Sequence, residues 1–94
     1  MYKWIPPGFP LDNRDADGAE LMVGDRVLIL TIPAWLIHDL PAEDQERLKS
    51  HEGRILTIES LDDYGYVWFI EDSFALRPAE VRLVSPHSEP VQKP

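Results

Sequence analysis

The stretch that decides the fold is Val23-Gly24-Asp25-Arg26-Val27-Leu28-Ile29-Leu30. Its first residues are typical of a turn, and the apolar run that follows is rich in residues that favour β-strands. A second stretch, Leu76-Arg77-Pro78-Ala79-Glu80-Val81-Arg82-Leu83-Val84, predicts a short 3₁₀ turn at Pro78 that leads into a closing strand. Two further strands are predicted between them, over 54–60 and 66–70. The sequence therefore predicts one small, curled, antiparallel sheet.

The length and composition of the chain predict a single globular domain. The chain has 94 residues, of which 44% are hydrophobic and 28% are charged. Residues 1–19 combine prolines and glycines with a polar run, so we expect an extended N-terminal arm there. Residues 85–94 have the composition of a disordered tail. The folded body is expected over 20–84.

An insert over 33–52 separates the first two predicted strands, and its second half predicts a helix at about 41–51. Pro41 suits the first turn of a helix, Glu43 lies in that turn, and Gly53 is a stop signal. Leu48 is the only large aliphatic residue of this helix after Leu40, so most of its circumference is expected to face solvent.

The arm is more apolar than a free tail, because it carries Trp4, Ile5 and Phe9. Both faces of the first strand are apolar, and period-2 geometry leaves one of them outside the core. We therefore expect the arm to lie on the outer face of this strand, over Leu28 or Leu30. The arm also contains the P-x-x-P spacing Pro7-Gly8-Phe9-Pro10, which could dock on its own domain or on a neighbouring molecule.

The order of the predicted elements resembles the Src-homology-3-like small β-barrel, a mainly β fold with five strands. Two motifs carry the resemblance: the opening Val23-Gly24-Asp25-Arg26-Val27, which is similar to the start of many bacterial small-barrel and KOW-type domains, and the closing Leu76-Arg77-Pro78-Ala79-Glu80-Val81. The resemblance implies a five-stranded barrel over 20–84 with a short helix in the insert between the first two strands.

In peptide-binding members of this fold, the first long loop and the 3₁₀ turn flank an aromatic groove for proline-rich ligands. The insert would take the place of that loop, and Trp68 and Pro78 would match two of the groove residues. The chain departs from these members at Val81, where they carry a tyrosine, and at 21–25, where they carry a tyrosine-rich run.

Aromatic and acidic residues in the second half of the body form the main candidate binding site. Several aromatic side chains would meet near one end of the curled sheet, among them Tyr64, Tyr66 and Trp68. Carboxylates accompany them in the sequence, namely Asp62, Asp63, Glu71 and Asp72. This combination suits a cationic ligand, because a ring face attracts Lys or Arg. The alternative is that Trp68 and Phe69 fill the core on opposite faces while the tyrosines cap it.

The charge of the chain bears on its partners. A net charge of -8 argues against nucleic acid, because phosphate binding depends on clustered Lys and Arg. An RNA-binding KOW-type domain would need the cations of the body on one face, namely Arg26, Arg47, Lys49, Arg54, Arg77 and Arg82. No stretch approaches the ~18 to 20 apolar residues of a membrane span. We therefore expect a cytoplasmic monomer that binds a protein or peptide partner and has no membrane partner.

No catalytic or metal-binding motif is recognisable. Neither disulfides nor a thiolate metal site is possible, because the chain has no cysteine. The histidines His38, His51 and His87 lack the spacing of a helical zinc motif. Residues 13–18 match part of a calcium loop, although an Asp-Gly turn explains the same pattern. We expect no cofactor, no metal and no enzymatic activity.

The sequence thus favours a small non-catalytic module for protein–protein interaction, which recognises a peptide or a basic partner through an aromatic and acidic surface. The alternative is a structural or accessory subunit of a larger complex, with the insert helix and the arm as its contact surfaces.

Overall fold

The computed structural model describes residues 7–86. Its architecture is mainly β, with a five-stranded antiparallel sheet in the order β4-β3-β2-β1-β5. The strands are β1 (Arg26–Ile29), β2 (Ile55–Leu61), β3 (Val67–Phe69), β4 (Ala75–Leu76) and β5 (Val81–Ser85). A 3₁₀ turn, Pro78–Glu80, joins β4 to β5. The predicted barrel is not formed as such: the sheet is open, because its two edge strands β4 and β5 do not pair with each other.

Two short helices, α1 (Ala34–Ile37) and α2 (Ala42–Lys49), lie in the insert between β1 and β2. Helix α2 corresponds to the helix predicted at about 41–51, and α1 was not predicted. A proline precedes each helix, and its fixed φ suits a chain that is about to turn into a helix. Each helix buries one large aliphatic side chain, Ile37 in α1 and Leu48 in α2.

The core lies under the sheet and the insert. Alternation places Val27 and Ile29 of β1 in the core, with no exposed surface, and it does the same for Val67 of β3. Phe69 of β3 is only 2% exposed and packs against Phe74 with ring centroids 5.0 Å apart. The other core residues come from the insert, β2, β4, β5 and the segment before β1, and they are Leu21, Ile32, Ile37, Leu48, Leu56, Ile58, Leu76 and Val81.

A turn centred on Asp15 holds the segment before β1 against β5. The Asp15 carboxylate is buried and accepts hydrogen bonds from the backbone N–H groups of Asp17, Ala19 and Leu83. Burial raises the pKa of this carboxyl, but these hydrogen bonds outweigh that effect and hold its pKa below the usual value. The pattern at 13–18 that partly matches a calcium loop thus forms a turn whose carboxylate bonds to backbone amides.

Replacing Asp15 by Ala should lower the free energy of unfolding by about 2–3 kcal/mol, because three backbone donors would lose a charged acceptor. Asp15→Asn keeps the size and one acceptor oxygen, so it should cost less. Urea unfolding followed by circular dichroism measures both variants. An Ala variant as stable as the unaltered protein would show that the Asp15 turn does not stabilise the fold.

Candidate functional site

A groove of about 530 Å³ lies between the insert and the β3–β4 pair. We call it the aromatic groove. This volume lies within the range of known ligand sites, about 300–1,000 Å³. Most of its lining is apolar or aromatic, and the polar contributors are Asp44, Arg47 and Ser73. The insert supplies Trp35, Leu36, Leu40 and Leu48, and the segment from β3 to β4 supplies Tyr66, Trp68, Phe74 and Ala75.

Strand alternation explains why one side of β3 faces this groove. Val67 and Phe69 point into the core, so Trp68 points to the opposite face, where it stays partly exposed. Tyr66, two residues before Trp68, lines the same groove. Ala75 pairs with Trp68 across the strands. The small side chain of Ala75 leaves space beside the indole ring, and this space is part of the groove.

The carboxylate of Asp62 fixes Trp68 and the β2–β3 turn together. It accepts hydrogen bonds from the backbone N–H groups of Tyr64 and Tyr66, each at 2.9 Å, and from the Trp68 indole Nε1 at 3.0 Å. Burial raises the pKa of Asp62, but these hydrogen bonds, led by the indole, outweigh it and hold that pKa below its usual value. Asp62 is therefore a positioning residue for the floor of the groove.

A second carboxylate fixes Trp35 at the rim. The Trp35 indole Nε1 donates to Glu80 Oε2 at 3.1 Å, and the other oxygen of Glu80 accepts the backbone N–H of Arg77 at 2.8 Å. The Arg77 guanidinium lies over the Trp35 ring, 5.1 Å from its centroid. Helix α1 is thereby tied to the 3₁₀ turn. The Trp35 side chain remains 38% exposed, so its orientation is fixed while its surface is still accessible.

A polar cluster lies beside the groove and contributes Arg47 and Ser73 to its lining. Asp72 accepts hydrogen bonds from the Arg47 guanidinium and from the backbone N–H of Ser73. Its carboxylate also lies 2.9 Å from Nε2 of His51. His51 is buried and stacks on Phe74 with ring centroids 5.3 Å apart. Burial raises the pKa of Asp72, but the hydrogen bonds from His51 and Arg47 outweigh it and lower that pKa overall. Arg47 is thus already paired with a carboxylate.

The residues predicted from the sequence are only partly brought together. Tyr66 and Trp68 line the aromatic groove, and Tyr64 lies on the same turn and contacts Phe9. Asp62 and Asp72 do not line the groove, but each bonds to a residue that does, Asp62 to Trp68 and Asp72 to Arg47. Asp63 is exposed on the turn. Glu71 lies apart from the groove lining, because both of its oxygens bond to Thr57 of β2.

The resemblance placed the insert beside the groove, but none of its residues was predicted as a site residue. Pro78 is buried in the 3₁₀ turn and does not line the groove, whereas Trp35 of the insert lines its rim. The signal was present, since Trp35 follows Pro33 and precedes an aliphatic pair in a surface insert. The neighbour of Trp35 in space, Tyr66, is 31 positions away, with ring centroids 5.9 Å apart.

The described part of the arm contacts the turn that carries the aromatic residues. Phe9 lies 6.0 Å from Tyr64 and 6.0 Å from Tyr66, measured between ring centroids. The position predicted for the arm, over Leu28 or Leu30, is therefore not where Phe9 packs. Two other residues of that prediction, Trp4 and Ile5, lie outside the described residues, as does His87.

Comparison of the chain with protein-family models, with curated proteins and with solved structures found no match. Between residues 7 and 86, no three His, Asp or Glu side chains are grouped closely enough to hold a metal ion. Over the same range, no helix has the length and the apolar character needed to cross a bilayer. The function of the protein is therefore inferred from the geometry of the aromatic groove.

Stability should fall in acid, because four native carboxyl groups have lowered pKa values. In Asp15, Asp62, Glu71 and Asp72, burial raises the pKa, but hydrogen bonds to the carboxylate outweigh it. The unfolded values lie near 4. The stabilisation is therefore complete above about pH 5 and is lost as the pH falls through the lower native values. Thermal unfolding between pH 7 and pH 2.5 measures this loss.

The Asp62→Asn variant should show a shallower dependence of melting temperature on pH below about pH 5, because one of the four groups no longer titrates. An acid slope identical to that of the unaltered protein would contradict the role assigned to the Asp62 hydrogen bonds.

Proposed function

We propose that this protein is a non-catalytic binding module that takes an extended peptide segment of a partner protein into the aromatic groove. The observation that carries the proposal is the pair of tryptophans, Trp35 and Trp68, each held by a carboxylate on one side and open to the groove on the other. Aromatic side chains of this kind supply large contact area in protein recognition.

Preorganisation supports this proposal. A ligand loses affinity when it must first order the side chains that receive it, at about 0.5–1.5 kcal/mol for each mobile side chain. Here Glu80 and Asp62 order both indole rings within the protein itself. Ala75 leaves a gap beside Trp68 that a ligand side chain of moderate size would fill.

The charges around the groove favour a partner segment with Lys or Arg near its apolar residues. The nearby cations are already engaged, Arg47 with Asp72 and Arg77 with the Trp35 ring. The carboxylates at or near the groove outnumber these two cations, and they are Asp44, Asp62, Asp72 and Glu80. The whole chain carries a net charge of -8. Such a surface attracts basic segments by long-range electrostatics.

We also propose that the fold is of the Src-homology-3-like type, with the insert in the place of the first long loop. The strand order β4-β3-β2-β1-β5 and the 3₁₀ turn between β4 and β5 support this assignment.

The buried state of His51 supports a binding role over acid–base chemistry, because its Nε2 contacts Asp72 and its Nδ1 is enclosed by the protein.

The test is selection of binders from a phage-displayed library of random 12-residue peptides, followed by calorimetric titration with the selected peptides. Replacing Trp35 by Ala should weaken binding about tenfold or more, since truncating an aromatic residue that contacts the ligand costs about 2 kcal/mol. The matched control is Ile70→Ala, which removes a side chain that is 64% exposed and does not line the groove. It should change the affinity less than twofold.

A second variant tests the same groove by filling it. Ala75→Leu adds volume beside Trp68 and leaves both tryptophans in place, so it should also weaken binding about tenfold. Binding by the folded Trp35→Ala and Ala75→Leu variants at the unaltered affinity would overturn the assignment of this groove.

Selected peptides should be enriched in Lys or Arg, and their affinity should fall roughly severalfold as the salt concentration rises from 50 to 500 mM.

A further inference from the structure

The N-terminal segment 7–11 occupies the aromatic surface next to the groove. Phe9 makes an edge-to-face contact with Tyr64, at an interplanar angle of 90°, and a tilted contact with Tyr66. Tyr66 in turn contacts Trp35. The rings thus form one continuous row, and a peptide that extends along the groove past Trp35 and Tyr66 would meet Phe9 next.

The attachment of this segment is local and narrow. The Leu11 N–H donates to the Tyr64 carbonyl oxygen at 2.8 Å. Leu11 approaches so closely that a Cβ on Gly65 would lie 2.7 Å from its backbone nitrogen, and Gly65 itself has a φ of +89°. The turn therefore has a bare backbone surface where another segment of chain lies, which is how an extended ligand approaches a protein.

We propose that segment 7–11 is an intramolecular ligand of this aromatic surface, and that the partner segment presents an aromatic side chain in the place of Phe9. This inference rests on the proposed function. Phe9 is only partly buried, so an aromatic side chain of the partner could reach its position and replace it. Binding of the partner would then require release of Phe9 from Tyr64 and Tyr66.

The consequence is a reduced apparent affinity for the partner. When an internal segment occupies a site for most of the time, the affinity for an external ligand falls by the fraction of molecules in which the site is free. A short connection gives the internal segment an effective concentration of about 1 mM at its site. For occupied sites to outnumber free sites about tenfold, the intrinsic dissociation constant of the segment must be about 0.1 mM. A free peptide with the same sequence should therefore bind measurably to a protein whose own segment is released.

The experiment uses full-length chains and a synthetic peptide with the sequence of residues 5–12, IPPGFPLD. The receiving proteins are the unaltered chain, Phe9→Ala, and Leu11→Pro, which removes the N–H that bonds to Tyr64. Binding is followed by NMR, from the indole N–H signal of Trp35 and the amide signal of Tyr66. We expect a dissociation constant of about 0.1 mM for both variants and about tenfold weaker binding to the unaltered chain.

The peptide in which Phe9 is replaced by Ala is the matched control, and it should not bind. The proposal is overturned if the peptide shifts neither signal in the folded variants at 2 mM. It is equally overturned if both variants unfold, because the segment would then be a structural part of the domain. Library peptides that depend on Trp35 while IPPGFPLD fails would remove this inference alone, whereas binding of IPPGFPLD without any library binder would remove the proposed partner alone.

Discussion

The structure depends on carboxylates that accept hydrogen bonds from the backbone. Its strands are short, from two residues in β4 to seven in β2, so many N–H groups lie in connecting segments where no sheet partner is available. Acidic side chains accept such donors in several turns, and Asp15 and Glu71 also accept N–H groups from strands β5 and β2. The residues with this role are Asp15, Asp25, Glu52, Asp62, Glu71, Asp72 and Glu80.

The same interaction connects the fold to the aromatic groove. Asp62 and Glu80 satisfy backbone donors with one part of their hydrogen-bonding capacity and hold a tryptophan indole with another. The turn that ends β2 and the 3₁₀ turn before β5 therefore determine where Trp68 and Trp35 point. Stability and recognition share these carboxylates, because a change that releases a turn also releases a ring at the groove.

The acidic residues of this protein therefore have a structural role in addition to their effect on surface charge. The net charge of -8 indicates an acidic surface, yet much of that charge is used within the molecule to satisfy amides. Glu71 illustrates the point, since both of its oxygens are occupied by Thr57. The attraction of a basic segment thus comes from the summed field of the surface, while the shape of the site comes from the rings of Trp35, Tyr66 and Trp68.

The sequence by itself determined β1, β2, β3 and β5, the 3₁₀ turn and the second insert helix, because period-2 alternation, Pro78 and Pro41 act through their immediate neighbours. The remaining strand, β4, was expected only from the resemblance, which did not say which residues form it. It also identified Tyr66 and Trp68 as a candidate surface. Only the tertiary structure decided that the sheet stays open, that Trp35 meets Tyr66, and that Phe9 packs on the β2–β3 turn. These contacts join residues that are far apart in the chain, and local pattern carries no information on which distant surfaces will meet.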